Sequence, residues 1–296
     1  MLYFILLISL TGQVFSRPLY NIAHMVNSVS QIDEYLGYGA NAIEADVEFF
    51  SDGTVKRFYH GFPCDCWRNC YQTAPIEDYI NALRDRTNPN SAKFNSRLVL
   101  VMFDVKINGL GKSALPKAGQ DLVNKILHPL YKNNPTQMKV IASIPASAMK
   151  EFIDSVTHQI KIKQPDIKKK IGYDIWSTAT WTDTTPGQDL EKQLKGIGIE
   201  AGHAWLNSGI TNCSPKPIFA SLKLQVKYSK NTNYFSKVYG WSVDYKSTAK
   251  SYFEAGVDGV MANYPDRVKA AIEEMKANKE NVWLATLNDD PFSLPR

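Results

Sequence analysis

The stretch NAIEADVEFF, Asn41 to Phe50, reads as a buried strand that carries two carboxylates, Glu44 and Asp46. Successive side chains on a strand point to opposite faces, so residues at i and i+2 share a face. Two carboxylates on one face of an apolar strand repel each other and lose hydration unless positive charge lies between them. Oxygen ligands so placed suit a hard divalent cation of the Mg²⁺ or Ca²⁺ type.

Outward from this strand the same design recurs. Apolar runs that end in polar residues alternate with amphipathic stretches. The strand candidates are LYNIAH, NAIEADVEF, LVLVMFDVK, KVIASIP, KKIGYDIW, EAGHAWL, VYGWSVD and DGVMANYP. Between them lie helical patterns such as IEDYINALRDR, SAMKEFIDSVTHQI and PDRVKAAIEEMK. Eight alternations without a linker in 296 residues predict a single α/β domain, a (β/α)8 TIM barrel. The fifth and sixth units are the faintest, because KIGYDIW and the following TATWTDTTPG also read as loop.

Catalytic groups of such barrels sit at the carboxyl ends of the strands. His24 closes the first strand, Glu44 and Asp46 lie toward the end of the second, and His60 follows in the next loop. Asp104 and Lys106 end the third strand, His203 lies within the sixth, Trp241 and Asp244 on the seventh, and Asn263 ends the eighth. Each has a bland reading alone: a strand-end histidine is more often structural, and a lysine beside an aspartate is usually a surface pair. Two histidines, three carboxylates and a lysine at one rim are hard to explain structurally. Glu44, Asp46 and Asp104 are the expected cation ligands. Two imidazoles suit a reaction that removes one proton and donates another. Lys106 and the cation would stabilise charge on a phosphoryl oxygen. The set predicts phosphodiester cleavage. A glycosidase needs a free carboxylate pair, and the best pair here is committed to the cation.

Composition narrows the setting. The chain is 44% hydrophobic and 21% charged, with a net charge of +5. No arginine cluster or aromatic-basic motif accompanies that charge, so a nucleic-acid partner is not expected. The basic run KIKQPDIKKK, Lys161 to Lys170, reads first as a solvated helix end and loop and second as a membrane-surface patch. Residues 1–16, MLYFILLISLTGQVFS, have the short apolar core of a secretory signal, although they lack a charged n-region. That run is too short to span a bilayer, and no later segment is long and apolar enough. The expectation is a secreted, extracellular domain of residues 17–296, acting as a monomer. The four cysteines fit two disulfides, and their spacing matches no common zinc pattern. Of three possible pairings the least strained joins Cys64 to Cys70 and Cys66 to Cys213.

The segments AHMVNSVSQIDEYLGYGANAIEADV, FYHGFPCDCWRNC, LVLVMFDVK, SGITNCSPK, KVYGWSVDYKST and AGVDGVMANYPD resemble the sphingomyelinase D/phospholipase D toxins of spider venoms and related tick and mite proteins. That family is a branch of the glycerophosphodiester phosphodiesterase-like barrels. The resemblance runs from about Leu19 to Pro291. It implies His24 and His60 as the acid, base or nucleophilic pair, Glu44, Asp46 and Asp104 as Mg²⁺ ligands, and Lys106 facing phosphate. It also implies Tyr239 and Trp241 as headgroup-lining aromatics, with Asp244 and Asn263 supporting the substrate pocket through hydrogen bonds. A tryptophan face suits a quaternary ammonium headgroup. The implied reaction releases choline or ethanolamine from sphingomyelin and lysophospholipids at a membrane surface, giving a cyclic phosphate or, by hydrolysis, a monoester. The family's two-disulfide members pair the same cysteine positions.

Three segments depart from the family: the tail ATLNDDPF (Ala285 to Phe292), the loop INGLGKSALPK after the third strand, and TATWTDTTP (Thr178 to Pro186). The tail is expected to plug the base of the barrel, and the loops leave headgroup preference open. The alternatives are a secreted glycerophosphodiester phosphodiesterase and a catalytically silent lipid-binding protein.

Overall fold

The computed structural model describes residues 16–176, 186–213 and 218–295. The expected leader, apart from Ser16, and the TATWTDTTP loop, apart from the backbone of Pro186, lie outside them. Eight parallel strands close the barrel: β1 (Arg17–Ala23), β2 (Ala42–Phe49), β5 (Leu100–Lys106), β6 (Lys139–Pro145), β7 (Ile171–Trp176), β8 (Ala204–Gly209), β9 (Lys237–Trp241) and β10 (Gly259–Ala262). Each pairs with the next in that order, and β1 pairs with both β2 and β10. The (β/α)8 expectation holds, including the faint fifth strand. Every residue of β2 except Glu48 is buried, which is why its sequence runs apolar on both faces.

Outside the barrel pack α1 (Val29–Gly37), α2 (Ile76–Thr87), α3 (Leu115–Leu122), α4 (His128–Tyr131), α5 (Met149–Lys163), α6 (Pro186–Gly196), α7 (Phe219–Thr232), α8 (Lys246–Glu254) and α9 (Pro265–Ala277). Helix α2 shows the local logic. Glu77 and Asp78 occupy its first turn and Arg84 and Arg86 its last, matching the helix dipole, while Tyr79, Ile80 and Leu83 face inward.

Two features were not anticipated. A short antiparallel extension, β3 (Val55–Tyr59) and β4 (Thr73–Ala74), follows β2, and residues 60–72 cross between its strands. Helix α7 left only a weak pattern because its buried positions, Leu222, Gln225, Val226 and Ser229, are half polar. Both disulfides join the expected partners, Cys64 to Cys70 and Cys66 to Cys213. The second ties the 60–72 segment to the loop after β8.

The opposite end of the barrel is closed by the C-terminal tail. Strand β11 (Val282–Leu284) pairs with β1, and Asn41 donates to the Ala285 carbonyl at 2.9 Å. Trp205 donates to the Pro291 carbonyl at 2.9 Å, and Phe292 stacks on His203 with ring centroids 4.6 Å apart. A Cβ on Gly172 would meet the Phe292 ring at 2.4 Å, so glycine is what lets the plug seat. His203 therefore lies just outside the strand that the sequence reading gave it, and away from the rim. It precedes β8 at the base, where its Nδ1 lies 2.8 Å from the Ile171 carbonyl. The basic run also lies at the base, between the end of α5 and the start of β7, with Lys168 paired to Glu200 at 2.6 Å. It occupies the end opposite the rim, as a solvated helix end.

Phe292→Ala removes a buried ring from this plug. It is expected to cost roughly 3 kcal/mol, read as a lower urea midpoint with an unchanged slope. An unshifted midpoint would mean that the tail does not hold the base.

Candidate active site

Strands β2 and β5 pair in register, so that Asp46 stands opposite Asp104 and Glu48 opposite Lys106. Like charges directly opposite are unfavourable in any sheet and more so in a buried one. Each carboxylate is nonetheless held by one oxygen. Glu44 Oε2 accepts from the Met25 amide at 2.7 Å, Asp46 Oδ2 accepts from Asn27 Nδ2 at 2.6 Å, and Asp104 Oδ2 accepts from Lys106. Met25 takes a left-handed backbone (φ 54°) in doing so.

The second oxygens behave differently. Glu44 Oε1 and Asp104 Oδ1 are buried without a hydrogen-bond partner, and Asp46 Oδ1 makes no hydrogen bond although Lys106 Nζ lies 2.8 Å away. One oxygen from each of the three carboxylates falls within 4.8 Å of the others. Three carboxylates that bring one oxygen each this close together are a ligand set for a hard cation, so these residues could hold a metal ion.

The electrostatics express the same crowding. Burial, followed by the charge of Asp46, pushes the Glu44 carboxyl well above the carboxylate range. Burial also raises Asp46, but Lys106, His60 and the Asn27 hydrogen bond outweigh it and hold it low. Lys106 would be lowered by burial, yet Asp104, Asp46 and Glu44 keep it firmly charged.

His24 follows β1, and its ring stands edge-on to that of His60, with centroids 6.4 Å apart. His24 Nδ1 lies 3.2 Å from Asp65 Oδ2 and 3.1 Å from Asn263 Oδ1, while its Nε2 lies 4.0 Å from Glu44. His60 Nδ1 lies 2.6 Å from the Gly61 carbonyl. With acceptors behind both rings, each Nδ1 carries a proton and each Nε2 remains for chemistry. Burial by itself would lower His24. The hydrogen bond to Asp65 and the charge of Glu44 more than reverse this and lift it to about 9.

The remaining candidates separate by position. Asp244 and Asn263 are buried behind His24. Asn263 Nδ2 donates to Asp65 and Asp244, and Asp244 Oδ2 also accepts from Asn212 at 2.6 Å. Tyr239 is buried and donates to Asp174 at 2.8 Å. Trp241 is half-buried, lies across Gly209, and donates through Nε1 to Asn207 Oδ1 at 3.1 Å. A Cβ on Gly209 would meet the indole at 2.2 Å, so only glycine leaves the ring this seat.

The sequence reading missed Asp65, Asn27, Asp174 and Asn207. Asp65 sits between Cys64 and Cys66, accepts from Thr211 at 2.7 Å, and is held below its usual range: burial opposes this, but the His24 contacts and the Thr211 and Asn263 hydrogen bonds prevail. Asp174 carried the same signal as Glu44, a carboxylate inside an apolar strand. Burial raises it to about 6 against hydrogen bonds from Ser143, Tyr239 and Asn207.

Fold and centre together define a (β/α)8 barrel with a cation-ready, histidine-flanked site at the C-terminal rim. A Silicibacter pomeroyi protein described as a glycerophosphoryl diester phosphodiesterase has the same fold, with a TM-score of 0.56 at 12% identity, covering 88% of this chain and 95% of that one. The family of Dermonecrotic toxin SPH matches residues 15–292. A dermonecrotic toxin of Sicarius terrosus is 38% identical over 285 residues, covering 93% of this chain and 98% of its own. One from Loxosceles boneti is 34% identical over 280 residues with the same coverages, 93% and 98%. The chain belongs to the dermonecrotic toxin family.

Two outcomes are expected. Asp104→Ala abolishes divalent-cation binding in calorimetry while the circular dichroism spectrum stays that of the parent; retained binding would remove Asp104 from the ligand set. The second concerns the His24–Asp65 pair in EDTA. His24 is lifted from 6.5 to about 9, so its contribution to stability is complete below 6.5 and lost as pH rises through about 9. Asp65 is depressed from 3.8, so its contribution is present above 3.8 and lost on acidification. The melting-temperature gap between parent and Asp65→Asn is then widest between 3.8 and 6.5 and closes above about 9. A pH-independent gap would mean that no ion pair exists.

Proposed function

We propose that the chain is a phospholipase D-type enzyme, of the sphingomyelinase D kind, that releases the headgroup alcohol from sphingomyelin and lysophospholipids. The observation that carries the reading is the convergence of the Glu44, Asp46 and Asp104 carboxylates beside two histidines, His24 and His60, each held through Nδ1. Membership of the dermonecrotic toxin family supports it.

Glu44, Asp46 and Asp104 are the residues that would hold the cation; their all-oxygen set suits a hard divalent ion, which we read as Mg²⁺ from the family resemblance. When bound, that ion withdraws charge from a phosphoryl oxygen. Lys106, held charged beside Asp46 and Asp104, faces the same oxygen and steadies the negative charge that builds on it.

The two histidines divide the proton work by what stands behind them. The Asp65 carboxylate favours the charged form of His24, which places it as donor to the departing headgroup oxygen. A neutral carbonyl stands behind His60, which places it as acceptor of the attacking hydroxyl's proton. When the attacking oxygen belongs to the lipid itself, the new P–O bond closes a ring as the headgroup P–O bond breaks, and the product is a cyclic phosphate. Trp241 offers the face turned away from Gly209 to the headgroup, with Tyr239 behind it in the barrel wall. Among the described residues no helix is long and apolar enough to cross a membrane. We read the protein as a secreted monomer that meets its lipid at the membrane surface.

Phosphorus NMR of the purified protein with sphingomyelin and lysophosphatidylcholine, with Mg²⁺ and then excess EDTA, tests this. A cyclic-phosphate signal that disappears with EDTA is expected. A monoester from the outset would replace cyclisation with hydrolysis. Turnover of glycerophosphocholine alone would move the assignment to a glycerophosphodiester phosphodiesterase, and no turnover of any substrate would leave a lipid-binding protein.

A further inference from the structure

An open groove of about 840 Å³ leads away from the catalytic rim on the side of α7, α8 and α9. Its volume falls within the range of about 300–1,000 Å³ typical of small-molecule sites. Trp241 and Asp244 line this groove and also belong to the candidate active site, so the groove adjoins that site. The groove's aromatic members come from separate loops and helices: Trp67 from the disulfide-bonded segment, Phe219 from α7, Tyr245 and Tyr252 from α8 and the residue before it, and Tyr264 from just before α9. Phe219 and Tyr252 stack with centroids 5.9 Å apart, which builds a flat apolar wall.

At the outer lip Trp67 is 93% and Tyr245 71% exposed. An indole held in water forgoes a large hydrophobic stabilisation. Trp67 cannot fold back to recover it, because disulfide-bonded Cys64, Cys66 and Cys70 fix the chain around it. No step at the phosphorus uses these rings. A phospholipid brings to the rim a phosphate that must lie at the carboxylates and an apolar chain that must lie elsewhere. Groove and centre meet at Trp241 and Asp244.

We propose that this groove takes an apolar chain of the lipid whose phosphodiester lies at Glu44, Asp46 and Asp104, with Trp67 and Tyr245 forming its lip at the lipid surface. The proposal rests on the reading of the chain as a lipid phosphodiester enzyme and names where that enzyme recognises the rest of its substrate. Bound affinity then grows with chain length, because each methylene leaves water.

Calorimetric titrations of the full chain in Mg²⁺ with hexyl-, octyl- and decylphosphocholine, each below its micellar concentration, test this. These lipids have no neighbouring hydroxyl and cannot cyclise. In the parent the affinity is expected to rise by up to about fourfold per methylene. Ser251 is an exposed α8 residue lining the groove, so Ser251→Trp fills the groove without entering the core. It is expected to flatten the series while hexylphosphocholine binds nearly as before. Tyr245→Ala, at an exposed position, is expected to shorten the chain length at which the gain stops. A flat series in the parent, or an unchanged slope in Ser251→Trp, would overturn the proposal. Phosphodiester turnover with a flat series rejects the groove alone, whereas a steep series in a chain without turnover rejects the enzymatic reading alone.

Discussion

Asp46 faces Asp104 across two adjacent parallel strands, with Glu44 one side chain away on the same face, and the rest of the molecule accommodates that conflict. Each carboxylate is anchored through one oxygen, and the second oxygens of Glu44 and Asp104 have no hydrogen-bond partner while that of Asp46 faces Lys106. The anchors account for otherwise odd local choices: the left-handed Met25, the buried Asn27, and a lysine two residues after Asp104. Apolar strands around them keep water from dissipating the charge. Without a positive partner the arrangement would be a liability, and with one it concentrates field at a single point.

Barrel architecture separates two kinds of work. Functional side chains stand at the carboxyl ends of the strands, while the amino ends are sealed by β11, Phe292 and the Trp205–Pro291 hydrogen bond. The basic run belongs to the sealed end, so the formal charge of the chain says little about how the rim meets a lipid. At the rim, residues 60–72 link the two histidines of the candidate site. His60 opens the segment, and Asp65 within it reaches back to His24.

Much of this was legible in the order of residues. Strands buried on both faces announce themselves as long apolar runs, and carboxylates within such runs stand out because burial makes them expensive. That signal found Glu44, Asp46 and Asp104. The same signal was present at Asp174 and passed over because no second carboxylate accompanied it. Asp65 left no periodic trace, since its role arises from a loop whose path is set by two disulfides. Asn207 serves through a hydrogen bond to a residue on the next strand, a relation that appears only once the strands are side by side. Helix α7 was hidden by polar residues on its buried face. His203 was read as part of its strand because it directly precedes Ala204, where β8 begins.

The barrel is closed by its first and last strands, and His24 marks the seam. Its amide bonds to the Ala262 carbonyl and its ring leans on Asn263, both contributed by β10 or the residue after it. A chain emerging amino end first therefore makes His24 long before Asn263, 239 residues later, can support its ring. A polypeptide cut before β10 would hold Glu44, Asp46, Asp65 and Asp104 and still lack that support. Alignment of His24 thus waits on the last strand of the barrel.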